Sequence, residues 1–389
     1  MSEHSDIRQL KSDGAETRKS RRHRLPRVAL VLGGGGLKGF AHIGVIRALE
    51  ERGIVPTVLA GTSIGSLIAS AWARNMPVPE MVERARSLRR RDLFRLNRIG
   101  MLLERAHAAS IYLAGPLREL CASVAPDSTF NELGRTLLVN TVDLQRGTQV
   151  VWGLPGLRDV NDIDAIYASC ALPGFFPPGD LGGRECVDGG VVDNLPVHIA
   201  GRGMDAIIAV DTGSSSLITQ KDVATHGFPA IYMRAATTMM HALQLAPLER
   251  WSGPPMILIR PKVGHIGWFS FTHTDELIDA GYRAAVEALG HFESCLSAKT
   301  GIFPRRPVSL VVNQEKCIGC TLCVTLAPQL MALDRKGKAY AKKPLVQWSV
   351  ADGDFVNHCP TLAIEATPLD AEKENQPEGA DQQQLRTAT

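Results

Sequence analysis

Val28 to Leu32 is an unbroken apolar run of strand length, which fits a strand buried on both faces. Glycines follow, and the spacing of Ile43, Ile46, Ala48 and Leu49 then predicts a helix stopped by Gly53. A second strand over Thr57 to Ala60 runs through Gly61-Thr-Ser63-Ile-Gly65 into a helix over Ser66 to Ala73. Two strand–turn–helix units in succession predict a parallel sheet with helices on its faces. Further strands are expected at Thr136–Val142, Thr148–Trp152, Ala206–Val210 and Met256–Ile259, and helices at Pro79–Arg91, Ile163–Cys170 and Thr274–Phe292.

The pattern changes near residue 300. The expected organisation is a disordered basic arm over 1–25, an α/β body of mostly parallel sheet over 26–300 and a proline-punctuated linker over 301–307. A small α+β module over 308–368 and a disordered acidic tail over 369–389 complete it. Some 60 residues bury little core unaided, so the small module is expected to need a cofactor.

Composition narrows the function. The chain has 389 residues, 44% of them hydrophobic and 21% charged, which excludes a mainly disordered or coiled-coil protein. A formal charge of +3 supplies no broad field for nucleic acid, and no recognition module accompanies the arginines between Arg84 and Arg98. The polar N-terminus has no apolar signal core, and the uncharged stretch Val55 to Ala73 is broken by Gly61, Ser63, Gly65 and Ser66. A soluble, cytoplasmic protein is expected, with peripheral membrane contact through the arginine segment or the basic arm as one option. Half of the eight cysteines fall in one pattern, which fits a reducing compartment better than a disulfide scaffold.

Gly34-Gly-Gly-Leu-Lys-Gly39 satisfies the G-x-G-x-x-G pattern between strand and helix, so a dinucleotide site is the first reading to test. The second strand ends in Leu59-Ala60-Gly61 without the acid that would bind ribose. Gly61-Thr-Ser63-Ile-Gly65 is G-x-S-x-G at a strand-to-helix turn, the arrangement that lifts a serine hydroxyl on a sharp elbow. Ser63 is therefore the candidate nucleophile, with a helix-cap serine as the bland alternative. N–H groups near Gly35, Gly36 and Leu37 are candidate donors to a developing oxyanion, and Lys38 a buttress or a solvated side chain. The candidate base is Asp188, because Asp188-Gly-Gly190 lets a carboxylate sit tight against backbone. A Ser–Asp–His triad stays open through His198, His226, His241, His265 or His273. Phe175, Phe176 and Trp268 are candidate walls of an acyl tunnel.

These segments, with Ala168-Ser-Cys-Ala-Leu-Pro-Gly-Phe-Phe-Pro-Pro178 and Val191-Val-Asp-Asn-Leu-Pro-Val197, make residues 26–290 resemble a patatin-like phospholipase. The resemblance implies a Ser63–Asp188 dyad without a catalytic histidine, an acyl-enzyme, and an oxyanion held by Gly35, Gly36 and Leu37. Gly34, Lys38, Gly39, Gly61, Gly65, Gly189 and Gly190 would support them. It implies a lipid or acyl-ester substrate and no cofactor for hydrolysis. Lys38 stands where the family often has arginine, which keeps the charge and loses the guanidinium fork.

Cys317-Ile-Gly-Cys320-Thr-Leu-Cys323 is a C-x2-C-x2-C run, joined by the remote Cys359-Pro360. Tight recurrence of three thiolates suits a cubane corner better than the paired knuckles of zinc sites. Residues 308–368 resemble a single-cluster ferredoxin-type domain, with Cys317, Cys320, Cys323 and Cys359 as ligands of one [4Fe-4S] cluster. Its role is open among electron transfer to a partner protein, regulation and structure. Two other functions remain in view: a redox-controlled lipid-binding module, and an oxidoreductase using the glycine loop for a nucleotide.

Overall fold

The computed structural model describes residues 25–98, 102, 110–124, 128–213, 225, 227–249, 251–352 and 355–369. The expected basic arm and acidic tail lie outside these residues apart from Leu25 and Leu369, as does His226.

Among the described residues, nine strands form the main sheet: β1 (Val28–Leu32), β2 (Val58–Thr62), β3 (Thr136–Asp143), β4 (Thr148–Trp152), β5 (Gly179–Asp180), β6 (Glu185–Asp188), β7 (Ala206–Val210), β8 (Met256–Ile259) and β9 (Ile302–Phe303). Their order is β5-β6-β3-β2-β1-β7-β8-β9, with β4 on β3. β3, β2, β1, β7, β8 and β9 run parallel, while β4 and β6 pair antiparallel to β3. Alternation on the central strands explains why their apolar runs have no polar face. Val28, Leu30 and Leu32 enter one core and Ala29 and Val31 the other, and β7 divides likewise.

This topology gathers three strand ends at one edge. β1 and β2 lie side by side in register from Ala29↔Val58 to Leu32↔Gly61, and β7 flanks β1 on its other side. The chain therefore reverses its order of winding about β1, and the crevice at such a switch point is where open α/β sheets bind ligands. The glycine loop, Ser63 and Asp211 all leave these strands there.

Helix Ala41–Glu51 packs on helix Thr274–Leu289 through two glycines. A Cβ on Gly44 would lie 1.9 Å from the Ile278 carbonyl oxygen, and one on Gly281 would lie 1.9 Å from that of Ala41. Gly44→Ala is expected to destabilise the protein by about 1–3 kcal/mol, because backbone atoms must separate. A denaturant midpoint equal to that of the parent would contradict this close approach.

Two expected elements are drawn differently. The Pro79–Arg91 helix is two, Val78–Ser87 and Arg90–Leu93, because buried Leu88 turns extended at φ −62°, ψ 130°. The 301–307 linker is not a bare connection: Ile302–Phe303 extends the main sheet beside β8, and Arg306 already begins β10 (Arg306–Val312). The parallel neighbour on β8 satisfies backbone groups that a free linker would leave to water.

The small module pairs β10 antiparallel with β13 (Leu345–Trp348) and β14 (Ile364–Pro368), beside a hairpin of β11 (Met331–Leu333) and β12 (Ala339–Ala341). Its own core holds Val308, Leu310, Met331, Phe355 and Ile364 around Cys317 and Cys323. It is fastened to the body by Arg306–Glu287 at 2.7 Å and by Val350, which enters the core under β7 and β8. Among the described residues, no helix is long and apolar enough to cross a membrane.

Candidate active site

Ser63 follows β2 directly and caps helix Ile64–Ala73 with φ 54° and ψ −130°. A positive φ is uncommon for a residue with a Cβ, and such strain persists only where the surroundings over-determine it. Here they do. Its N–H donates to Ser169 Oγ at 2.9 Å, and that hydroxyl donates to the Asn140 carbonyl at 2.7 Å. Its carbonyl accepts from the Ser66 hydroxyl at 2.6 Å and the Ser66 N–H at 2.8 Å. Gly61 and Gly65 permit the turn: added Cβ atoms would stand 2.4 Å from the Ser66 nitrogen and 2.1 Å from the Leu32 carbonyl oxygen.

Asp188 ends β6 opposite Thr141 of β3. The carboxyl is buried, and Oδ1 accepts the Gly190 N–H at 2.8 Å. Burial raises its pKa from the ordinary 3.8 to about 6, with the Gly190 N–H and the Ser63 hydroxyl pulling against that rise. Gly189 presses on Asn140, where a Cβ would approach the amide nitrogen and the carbonyl oxygen to 2.5 Å, and this brings the Asp188 turn onto β3.

The glycine loop follows β1. Gly33 N–H donates to the Val210 carbonyl at 2.9 Å, and Gly34 N–H to Asn194 Oδ1 at 3.1 Å. Asn194 Nδ2 returns a bond to the Gly34 carbonyl at 3.1 Å, so one side chain clamps both polar groups of Gly34. Leu37 N–H donates to the Trp268 carbonyl at 2.8 Å. That bond overturns the expectation that Leu37 offers a free donor, because an N–H spent on a backbone carbonyl cannot also face a substrate oxygen. Gly35 and Gly36 keep N–H groups with no protein acceptor among the described residues. Gly36 has φ +58°, and Gly39 packs against Ile64, where a Cβ would come within 2.1 Å.

Lys38 is buried, not solvated. Burial lowers its pKa, and the nearby Asp211 carboxylate opposes that shift. His42 Nε2–H donates to the Gly33 carbonyl at 2.8 Å, and burial pushes its pKa down to about 4. It supports the loop from beneath as a neutral ring.

Gly36, Leu37, Ser63 and Asp188 border one cavity of ≈ 70 Å³, walled by Ile64, Leu67, Leu93, Leu117, Leu120, Cys170, Leu172, Phe176, Trp268 and Phe269. A second apolar cavity of ≈ 60 Å³ shares Ile64, Leu67 and Leu120 with it. Phe176 and Trp268 stand where the tunnel reading puts them, whereas Phe175 stacks behind, 5.9 Å from Phe269 and 6.1 Å from Tyr112 between ring centres. Among the described residues, no histidine borders this cavity. His265 bonds Glu276 at 2.7 Å, His273 bonds Ser270 at 2.6 Å, and His198 lies against Trp251.

Asn194, Ser169 and Asn140 are not among the sequence candidates for the site. Each acts across a long separation, 160 residues for Asn194 to Gly34 and 106 for Ser169 to Ser63. Nothing local in the chain signals those pairings. The arginine segment is largely spent within the protein: Arg84 pairs with Glu80 at 2.8 Å, Arg86 with Asp275 at 2.7 Å, and Arg90 lies over Phe94.

In the small module, Cys317 and Cys323 are buried, Cys320 is exposed and Cys359 is half-buried. The loop between β10 and β11 turns at Gly319 (φ 71°) and Thr321 (φ 67°), and a Cβ on Gly319 would meet the Gly337 carbonyl at 2.5 Å. The Ala339 N–H points at Cys317 Sγ at 3.4 Å and the Ala363 N–H at Cys359 Sγ at 3.3 Å. Cys317 and Cys323 sit in the module's apolar core with Cys359 packed against it, and Cys317 and Cys359 receive backbone N–H groups, surroundings that suit thiolate ligands of an iron–sulfur cluster, while Cys320 is exposed and no three of these side chains are gathered as a metal site among the described residues.

Comparison with known proteins agrees with both halves. Residues 30–200 match the patatin-like phospholipase family and residues 310–366 the 4Fe-4S single cluster domain. The chain thus carries a patatin-like phospholipase domain joined to a 4Fe-4S ferredoxin-type domain. It is 29% identical over 308 residues to lysophospholipase nte1 of Aspergillus fumigatus, covering 70% of this chain and 19% of that protein. It is 36% identical over 198 residues to an uncharacterized NTE family protein of Mycobacterium tuberculosis, covering 51% of this chain and 52% of the relative. The chain therefore spans about a fifth to a half of these relatives. A weak likeness joins it to the crystal structure of VipD from Legionella pneumophila, with TM-score 0.38 and 17% identity over 68% of this chain and 67% of that one.

Proposed function

We propose that the chain is a serine acyl hydrolase that cleaves carboxylic ester bonds of lipids. The observation that carries this reading is the meeting of Ser63, Asp188 and Gly36 at one apolar cavity, with the N–H groups of Gly35 and Gly36 left without a protein acceptor among the described residues. Ser63 Oγ attacks the ester carbonyl carbon as Asp188 takes the hydroxyl proton, and the carbonyl oxygen becomes an oxyanion facing Gly35 and Gly36. The intermediate collapses, the alcohol leaves with the proton from Asp188, and an ester of Ser63 remains. Water then attacks that ester, giving its proton to Asp188, and the acid is released as Ser63 regains its hydrogen. Asn194 and Lys38 act as positioning residues for the loop, and Leu67, Leu120 and Phe176 receive the acyl chain.

Cys317, Cys320, Cys323 and Cys359 would hold one [4Fe-4S] cluster, which supplies one-electron chemistry and binding energy for the small module. Hydrolysis itself transfers no electron. An electron-transfer protein is the partner that chemistry suits, and a lipid surface is the source of substrate. Eight cysteines without a disulfide fit a reducing compartment.

The test is covalent labelling: a fluorophosphonate should modify Ser63 and stop ester turnover in proportion, and a stoichiometric label elsewhere would remove the assignment. The raised Asp188 pKa adds a pH signature. Since the carboxylate is the active form, kcat/KM should rise with pH through about 6 and then level. The linkage to stability has the opposite sense. A carboxyl whose folded pKa is raised is favourable below its unfolded value and loses that advantage as pH climbs through about 6. Asp188→Asn should therefore abolish turnover and yet stabilise the protein at pH 8 by roughly 1–3 kcal/mol. Equal melting temperatures for parent and variant at pH 8 would contradict the burial cost.

A further inference from the structure

A cavity of ≈ 350 Å³ opens where the small module meets the edge of the main sheet, and it shares no lining residue with the serine cavity. Its floor is apolar, from Leu258, Ile302, Phe303 and Val350. Its polar wall carries Arg260, Lys262, Arg283 and Arg306 against one carboxylate, Glu287. Glu287 is already engaged by Arg306 at 2.7 Å, and Arg260 by Asp211 at 3.2 Å. Arg283 has no acidic partner among the described residues. Trp348 lines the same space, and its indole N–H is buried without an acceptor among the described residues.

We propose that this interdomain cavity binds a phosphate monoester carrying a short apolar group. A buried donor without an acceptor is costly, and the exposed Arg283 guanidinium stands at the same cavity without an acidic partner among the described residues, so an anionic head with an apolar tail satisfies the indole N–H, meets the cation and covers the apolar floor. Phosphate suits the wall better than carboxylate. One guanidinium can fill the two oxygens of a carboxylate, whereas Arg283, the N–H groups that Arg260 and Arg306 keep beyond their ion pairs, and the indole N–H offer donors for the three terminal oxygens of a phosphate. The cavity lies within the usual size range of small-molecule sites and at a domain junction, where such sites are common. Because its walls come from both halves of the chain, the ligand would bridge the hydrolase body and the cluster module. The proposal does not depend on the reaction assigned to Ser63.

Octyl phosphate, kept below its micelle concentration, can be titrated calorimetrically into the full-length, cluster-loaded protein, beside octanol, octanoate and inorganic phosphate. It should bind at least about tenfold more tightly than any of the three. Arg283→Glu should weaken it by about tenfold or more, and Trp348→Phe by a few-fold, with iron content and melting temperature retained. Arg283 is preferred to Arg260 because Arg260 also holds Asp211, the carboxylate beside Lys38 and His42. Undiminished binding in Arg283→Glu would place the amphiphile in the serine cavity or elsewhere and overturn the proposal. Equal affinity for octanoate would overturn the phosphate assignment, and absence of octyl phosphate binding would overturn the site.

Discussion

Ser63→Ala lowers kcat/KM for lipid ester hydrolysis by at least about 10³-fold, because among the described residues no second hydroxyl shares the cavity with Asp188 and Gly36. The donors of the glycine loop survive the change, so a small residual rate above the uncatalysed one is expected. The fold survives as well. The backbone of Ser63 is held through its own N–H and carbonyl by Ser169 and Ser66, and these bonds need no Ser63 side chain. The measurement is turnover over a panel of phospholipid, lysophospholipid and short chromogenic esters, with near-ultraviolet circular dichroism as the folding control. A folded Ser63→Ala protein with parental turnover would return the chain to the alternatives of a lipid-binding module or a nucleotide-using oxidoreductase.

Cys359→Ala removes most of the cluster, from about four iron and four sulfide per chain after anaerobic isolation to a small fraction of that. In the proposed ligation three thiolates from one loop would hold one corner of a cubane, and the fourth would come from Cys359, on a turn that β14 carries back to β10. Its loss also loosens the module, whose own core is small and centred on the cysteines. Iron and sulfide analysis, with proteolysis of the module as a stability readout, checks both effects. Stoichiometric zinc without sulfide would exclude the cluster. Hydrolysis of a short soluble ester should fall by no more than about threefold in this variant, since no cysteine ligand borders the serine cavity. The small module nevertheless docks on the sheet through Val350 and Arg306, so a deletion meant to preserve the body should begin after Phe303 and not at Gly301.

Local patterns carried much of the architecture. Five apolar residues at β1 and five at β7 can be stable only between two covered faces, and both strands are central. The G-x-S-x-G turn is likewise legible because its geometry is local: the glycines that allow the elbow lie two residues either side of Ser63. The cysteine spacing points to the 4Fe-4S domain by the same logic, because Cys317, Cys320 and Cys323 recur within one short loop.

Tertiary structure decided what depends on partners far along the chain. Leu37 has the same backbone N–H as Gly35 and Gly36, and only the carbonyl of Trp268 folded over it takes that donor up. Asn194 looks like an ordinary turn residue until β7 brings its loop against Gly34. Lys38 could be read as solvated or buried with equal ease, and the packing of Asp211 beside it settles the matter. The interdomain cavity has no local signature at all, because Arg260, Arg283, Arg306 and Trp348 belong to four separate segments. Periodicity and turn chemistry are properties of neighbouring residues and are written in the sequence, whereas the hydrogen-bond partner of an N–H and the company of a charge are fixed only when distant strands take their order in the sheet.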